Sequence, residues 1–132
     1  MHTRFGWAAR LAAVFMLFAA ASFALAAASQ PFDAKAFQAA QAAGKPIVVE
    51  IHADWCPECK AQNRVLDKIT GEPRFSTLVR LRIDYDKQKD LVRQFKARQQ
   101  STLVVYKGGQ ELARAVGITS EEKIRALVDK AI

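Results

Sequence analysis

The chain is poor in cysteine. Cys56 and Cys59 are its only two, separated by Pro57 and Glu58. No disulfide network can staple distant segments, and a bridge across so small a loop constrains the unfolded chain little. Histidine is as scarce, with His2 and His52 alone. A structural zinc site commonly takes four Cys and His ligands, and Cys56, Cys59 and His52 leave a single chain one short. Lys60 stands where a c-type haem motif needs His. Proline ends at Pro73, so no later X–Pro bond exists to adopt the cis form at low cost. No stretch interleaves aromatic and basic residues as a nucleic-acid platform does, so no nucleic-acid partner is expected.

What is abundant at the N-terminus is alanine. Arg4 and Arg10 lead into an uncharged apolar stretch from Leu11 to Ala28. A short basic region, an apolar stretch and A-x-A spacing read as a secretory signal over 1–28. Cleavage fits after Ala26 or after Ala28. The alternative is an uncleaved anchor helix, the one route to a membrane partner. Losing Arg4 and Arg10 takes the formal charge from +7 to +5. The rest of that charge is spread out, with acids interspersed, as on a solvated face. The reading is a periplasmic or otherwise exported protein, in an oxidising compartment where disulfides persist.

Residues 29–132 read as one domain. "PFDAKAFQAAQAAGK" reads as a short helix with Phe32, Phe37 and Ala40 on one face, ended by Gly44 and Pro46. "IVVEIHA" is a β-branched run with the near-continuous apolar character of a strand buried on both faces. Pro57 suits the first position of a helix running to about Thr70, with Val65, Leu66 and Ile69 inward. "TLVRLRID" alternates imperfectly and reads as a second strand. "KDLVRQFKA" places Leu91, Val92 and Phe95 on one helical face. "TLVVYK", Gly108-Gly109 and "QELARAV" form a hairpin. The last helix opens with Thr119 and Glu122 as a capping box and lines Ile124, Leu127, Val128 and Ile132 along one face. Alternating helices and strands imply a parallel pair, and the hairpin adds an antiparallel edge.

The cysteine pair sits where a buried strand becomes a helix. Free backbone N–H groups and the positive end of the helix dipole favour thiolate at Cys56. Cys59, one turn on, can attack a mixed disulfide and release the partner, which asks for one exposed and one sheltered sulfur. Glu50 in the middle of "IVVEI" would be costly to bury charged, so it is expected to hold a proton tightly and to accept the one Cys59 loses. Its alternative is a solvent-facing place on an edge strand. His52 reads as a strand residue packed by the site.

"ADWCPECK" resembles the W-C-x-x-C-K segment of the thioredoxin superfamily, and the likeness runs from about Pro31 to Ile132. Asp84, "TLVVYKGGQE" and Gly117 fall in family order. The sequence shows no strand before the opening helix, a departure from thioredoxin itself, and "ADWC" after a strand with a central Glu looks more like the exported thioredoxin-like domains that relay electrons in the periplasm. The resemblance implies an α/β thioredoxin-like fold, with a central mixed sheet of about four strands flanked by helices. It implies thiol–disulfide exchange with protein disulfides and a redox partner protein, without a cofactor, by a monomer acting as a reductant. Cys56 would be the nucleophile, Cys59 the resolving thiol, Glu50 the proton-transfer acid and Trp55 a shield. Pro57, Glu58 and Lys60 would complete the shell. The family's cis-proline position falls on Ser101, which with Thr102 would line the substrate groove. A cis bond before Ser101 would cost about 3–4 kcal/mol, so a trans Gln100–Ser101 bond is expected. Glu58 beside Cys56 should disfavour its thiolate and lower the potential. The other readings are a dimer that shares a metal or iron–sulfur cluster through four thiolates, and a thioredoxin-like adaptor without turnover.

Overall fold

A computed structural model describes residues 27–132; the signal-like segment up to residue 26 lies outside them. The elements run β1 (Gln30–Pro31), α1 (Ala34–Ala42), β2 (Pro46–His52), α2 (Pro57–Thr70), β3 (Val79–Asp84), α3 (Lys89–Gln94), β4 (Thr102–Lys107), β5 (Gln110–Val116) and α4 (Glu121–Val128). They build the expected α/β thioredoxin-like fold around a five-stranded mixed sheet in the order β1-β3-β2-β4-β5.

The fifth strand is a correction. A strand does precede the opening helix: Gln30 and Pro31 pair in parallel with Leu81 and Arg82 of β3. Two residues carry no readable period of two, so only the sheet edge that receives them reveals them. β2 lies at the centre, parallel to β3 and antiparallel to β4. That position explains its apolar run, because helices cover both its faces.

The faces of β2 separate by parity, as strand pleating requires. Val48 packs with Leu66 and Ile69 of α2 and with Ile124 and Val128 of α4. Ile47, Val49 and Ile51 pack with Val92 and Phe95 of α3 and with Ala40 of α1. Phe32, Phe37, Phe95 and Tyr106 add a cluster of tilted and edge-to-face rings on this second side. Glu50 shares the parity of Val48 and therefore points beneath α2.

Two details of α4 differ from expectation. Its N-cap is Ser120, whose side chain accepts from the Lys123 N–H, rather than Thr119. Both residues precede the apolar face by a workable spacing, and the chain's entry angle selects between them. Ile132 is 45% exposed. The last residues tighten into a 3-10 turn at Asp129–Ala131, and this turns Ala131 into the core instead. The hairpin forms as expected: Gly108 takes φ +55°, which L side chains rarely adopt, so the turn lets Lys107 pair with Gln110.

Candidate active site

After β2 the backbone turns at Ala53–Trp55, closed by the Cys56 N–H donating to the Ala53 carbonyl at 3.1 Å. Cys56 is then the N-cap of α2, in extended conformation, and Pro57 is its first helical residue. The Cys56 sulfur occupies the place of a capping oxygen and accepts the Cys59 N–H at 3.1 Å. Cys56 and Cys59 are joined as a disulfide, with Cα atoms 5.3 Å apart. The Cys59 sulfur lies 3.9 Å from the Ile51 carbonyl oxygen. The expectation of one exposed sulfur is corrected, because Cys56 is 0% and Cys59 2% exposed. Bridged, both tuck against Ala53 and Tyr85.

The shell residues surround this pair. Glu58 is exposed, with its Oε2 3.7 Å from the Cys56 sulfur. Lys60 and Pro57 are exposed on the first turn of α2. Trp55 is 58% exposed, so it is no core filler. Its indole N–H donates to Asp86 at 2.8 Å. Asp86 is itself held by a turn in which the Asp84 carboxylate accepts the N–H groups of Asp86 (2.9 Å) and Lys87 (3.0 Å). The Lys87 N–H, ahead of the Asp86 N–H, holds the Asp84 carboxyl below its usual range. That contribution is complete above the ordinary carboxyl pKa and fades as pH falls through the folded-state value. His52 contacts Asp54 at 3.2 Å. Among the described residues no three His, Cys, Asp or Glu side chains converge as a metal site.

The loop before β4 runs beside the end of β2, where Thr102 pairs with Ile51. The Gln100–Ser101 bond is trans, as expected, and Ser101 adopts φ +56°. An L-residue there costs roughly 1–2 kcal/mol. Hydrogen bonds hold it: the Ser101 carbonyl accepts from Gln62 Nε2 and from the Gly117 N–H, each at 2.9 Å. Gln62 also donates to the Ile118 carbonyl at 3.0 Å. It thus ties α2 to both loops around the site, a role the sequence reading did not assign. The only available signal was a glutamine on the apolar side of an amphipathic helix. Thr102 is buried, and its hydroxyl donates to the Gln99 carbonyl at 2.8 Å.

Glu50 is buried, but the picture of a lone carboxylate is corrected. Its Oε1 accepts from Arg80 Nη2 at 2.9 Å, and its Oε2 accepts from the Ser29 hydroxyl. The Arg80 side chain is 0% exposed. It also donates to Asp67 (2.7 Å), Asn63 (3.0 Å) and the Ala27 carbonyl (3.2 Å). The pairing replaces water around two charges that burial would otherwise penalise heavily. Asn63 follows Cys59 by one helical turn, so this network lies directly below the first turns of α2. Arg80, Asn63 and Ser29 were not foreseen; the imperfect alternation of "VRLRID" was the trace that Arg80 left.

Comparison with known proteins agrees with this arrangement. The family model described as Thioredoxin matches residues 28–130. A crystal structure of Trxlp from Edwardsiella tarda superposes with a TM-score of 0.70 at 42% identity, covering 76% of this chain and 95% of that one. The mitochondrial thioredoxin of Bos taurus is 30% identical over 87 residues, 66% of this chain and 52% of the relative. A bifunctional thioredoxin reductase/thioredoxin from Mycobacterium leprae is 33% identical over 85 residues, 64% of this chain and 18% of that protein. The chain thus spans about half, or less, of these curated relatives.

Gln62→Leu removes one of the two donors to the Ser101 carbonyl and the side-chain donor to the half-buried Ile118 carbonyl, and leaves an apolar side chain among polar groups. It is expected to lower the unfolding free energy by about 1–3 kcal/mol in urea titrations. Gln62→Glu, which loses the donors but keeps the shape, should cost at least as much.

Proposed function

Because the chain belongs to the thioredoxin family, we propose that it is a thiol–disulfide oxidoreductase that exchanges electrons with protein disulfides and acts as a reductant. The observation that carries this reading is the Cys56–Cys59 bridge at the N-terminus of α2, with the Cys59 N–H on the Cys56 sulfur. In the reduced protein that N–H and the helix dipole favour the Cys56 thiolate. The thiolate attacks a substrate disulfide, forms a mixed disulfide and expels one substrate thiolate. Cys59 loses its proton, attacks Cys56 and breaks the bond to the substrate. The protein ends as the disulfide and the substrate as two thiols, so two electrons have passed. Glu50 is the acceptor for the Cys59 proton in this reading, supported by its burial beneath α2, where it shares the Arg80 guanidinium with Asn63, one turn after that cysteine. Since both sulfurs are covered in the bridged form, docking of a partner must part the surface over Cys56. Exposed Trp55, tethered to Asp86, supports a contact with that partner.

Glu58 tunes the direction. Charges about 4 Å apart interact by roughly 1 kcal/mol in water and roughly 4 kcal/mol at an effective dielectric of 20. A charge-assisted hydrogen bond, as from the Cys59 N–H, is worth about 1.5–3 kcal/mol. The two effects are comparable, so Glu58 removes much of the thiolate stabilisation that the helix supplies, and a less stable reduced form is the stronger reductant.

Export is proposed on the leader sequence. Cleavage after Ala26 is favoured over Ala28, because the Ala27 carbonyl serves the buried Arg80 and a start at Ser29 would delete it.

Cys59→Ser should trap a mixed disulfide with a partner protein, visible as a reducible higher-mass band. No adduct, together with failure of the wild type to reduce insulin, would sink the oxidoreductase reading. Glu58→His should raise the reduction potential by tens of millivolts, since about 30 mV corresponds to 1.4 kcal/mol; an unchanged or lower value refutes the argument. Intact mass of protein expressed with its leader in a secreting bacterium should give a chain starting at Ala27. A start at Ser29, or an uncleaved leader, contradicts the processing proposed.

A further inference from the structure

The carboxylate of Glu50 has two differently employed oxygens. Oε1 is taken by Arg80, whose guanidinium is fully buried and tied on its other side to Asp67, Asn63 and Ala27. A guanidinium only donates and keeps its protons, so it holds the carboxylate but cannot carry a proton away. Oε2 faces a different group, the hydroxyl of Ser29. A hydroxyl can donate one proton while accepting another. Ser29 is half-buried, and it lines a cleft of about 460 Å³ with Gln30, Pro31, Arg82, Asp84 and Lys87. Glu50 has no opening of its own, being 5% exposed. Among the described residues, Ser29 is therefore the contact of Glu50 that both touches the carboxylate and opens on a cleft. The strand that fixes it, β1, consists of the next two residues, paired to β3 beside Arg80.

We propose that Ser29 is the proton relay of Glu50, joining the buried carboxylate to the cleft beside β1. The inference rests on the oxidoreductase reading above and deepens it. In each reductive turnover Cys59 gives up one proton as it attacks Cys56. Glu50 takes that proton on Oε2. The Ser29 hydroxyl turns to accept it there while releasing its own proton to water in the cleft, and the carboxylate is ready again. No electron passes through Ser29, and the oxidant throughout is the substrate disulfide. The charged groups around the relay are Arg80 and Arg82 from β3, Asp67 from α2, and Asp84 and Lys87 at the mouth of the cleft. Ser29 acts through Glu50 and touches neither sulfur, so it is a positioning and relay residue.

The test is a stopped-flow reaction of the full chain, reduced, with an excess of a symmetrical aromatic disulfide whose two halves are coloured thiols. Release of the first half reports attack by Cys56 and depends on concentration. Release of the second reports resolution by Cys59 and does not. Ser29→Ala should leave the first phase unchanged and slow the second by about tenfold, at the lower edge of what a positioned proton-transfer group supplies. It should also enlarge the solvent deuterium effect on that phase. Ser29→Thr, which keeps the hydroxyl, should restore it. In a Glu50→Gln background, Ser29→Ala should cost nothing more. Equal slowing of both phases means a merely structural role and overturns the relay, as does an unchanged second phase or full additivity with Glu50→Gln. A wild type that reacts in neither phase overturns the oxidoreductase reading, and the relay with it.

Discussion

One buried cation organises the lower half of the site. Arg80 is the second residue of β3 and its side chain is fully buried; its two Nη groups are met by acceptors, while its Nε has no partner among the described residues. Its partners come from the N-terminal strap (Ala27), from β2 (Glu50) and from α2 (Asn63 and Asp67). The requirement to satisfy one side chain thus ties together the elements that form the floor beneath the cysteines. Apolar residues of the same volume would hold these elements about as well or better, whereas removing one partner of such a pair costs about 3–5 kcal/mol. The pair is therefore better understood as fixing where Glu50 sits than as a net source of stability.

Above that floor, the cysteine pair takes its properties from the way α2 begins. A capping position normally carries Ser, Thr, Asp or Asn. Here sulfur does the capping, and the helix places a donor on it at 3.1 Å. The same turn brings Glu58 to 3.7 Å from the same sulfur. The helix start favours negative charge on Cys56 and its second residue opposes it. The proposed control of redox poise by Glu58 rests on these two opposed contacts on one sulfur.

Much of this was legible because it is local. "IVVEI" reads as a doubly covered strand, Pro57 marks the helix start, and Gly108-Gly109 marks the hairpin. All three follow from residues a few positions apart. What escaped the sequence was long-range or too short to have a period. Arg80 and Glu50 are 30 residues apart and Ser29 and Glu50 are 21 apart, so nothing local links them. Arginine in a strand reads first as solvent-facing, and only the central place of β2 beside β3 turns it inward. β1 is too short to alternate. The Thr119 and Ser120 choice at α4 and the exposure of Ile132 are boundary effects, where one residue of shift changes which side chain caps or points inward.

Ser101 shows how a missing proline is replaced by other interactions. Proline would set the backbone of that loop through its ring. Ser101 has no ring and stands in the left-handed region at φ +56°, a conformation that on its own is unfavourable by roughly 1–2 kcal/mol. It persists because the loop is over-determined. Gln62 and the Gly117 N–H both bond its carbonyl, and Thr102 next to it bonds Gln99. Each net hydrogen bond is worth about 0.5–1.5 kcal/mol, so three together match or exceed the conformational cost. The loop is thus shaped by polar contacts with α2 and the β5–α4 loop rather than by a ring. Gln62 lies on the same helix as Cys59, three residues on, so the helix that carries the resolving cysteine is hydrogen-bonded to the loops on both sides of β4 and β5, at the Ser101 and Ile118 carbonyls.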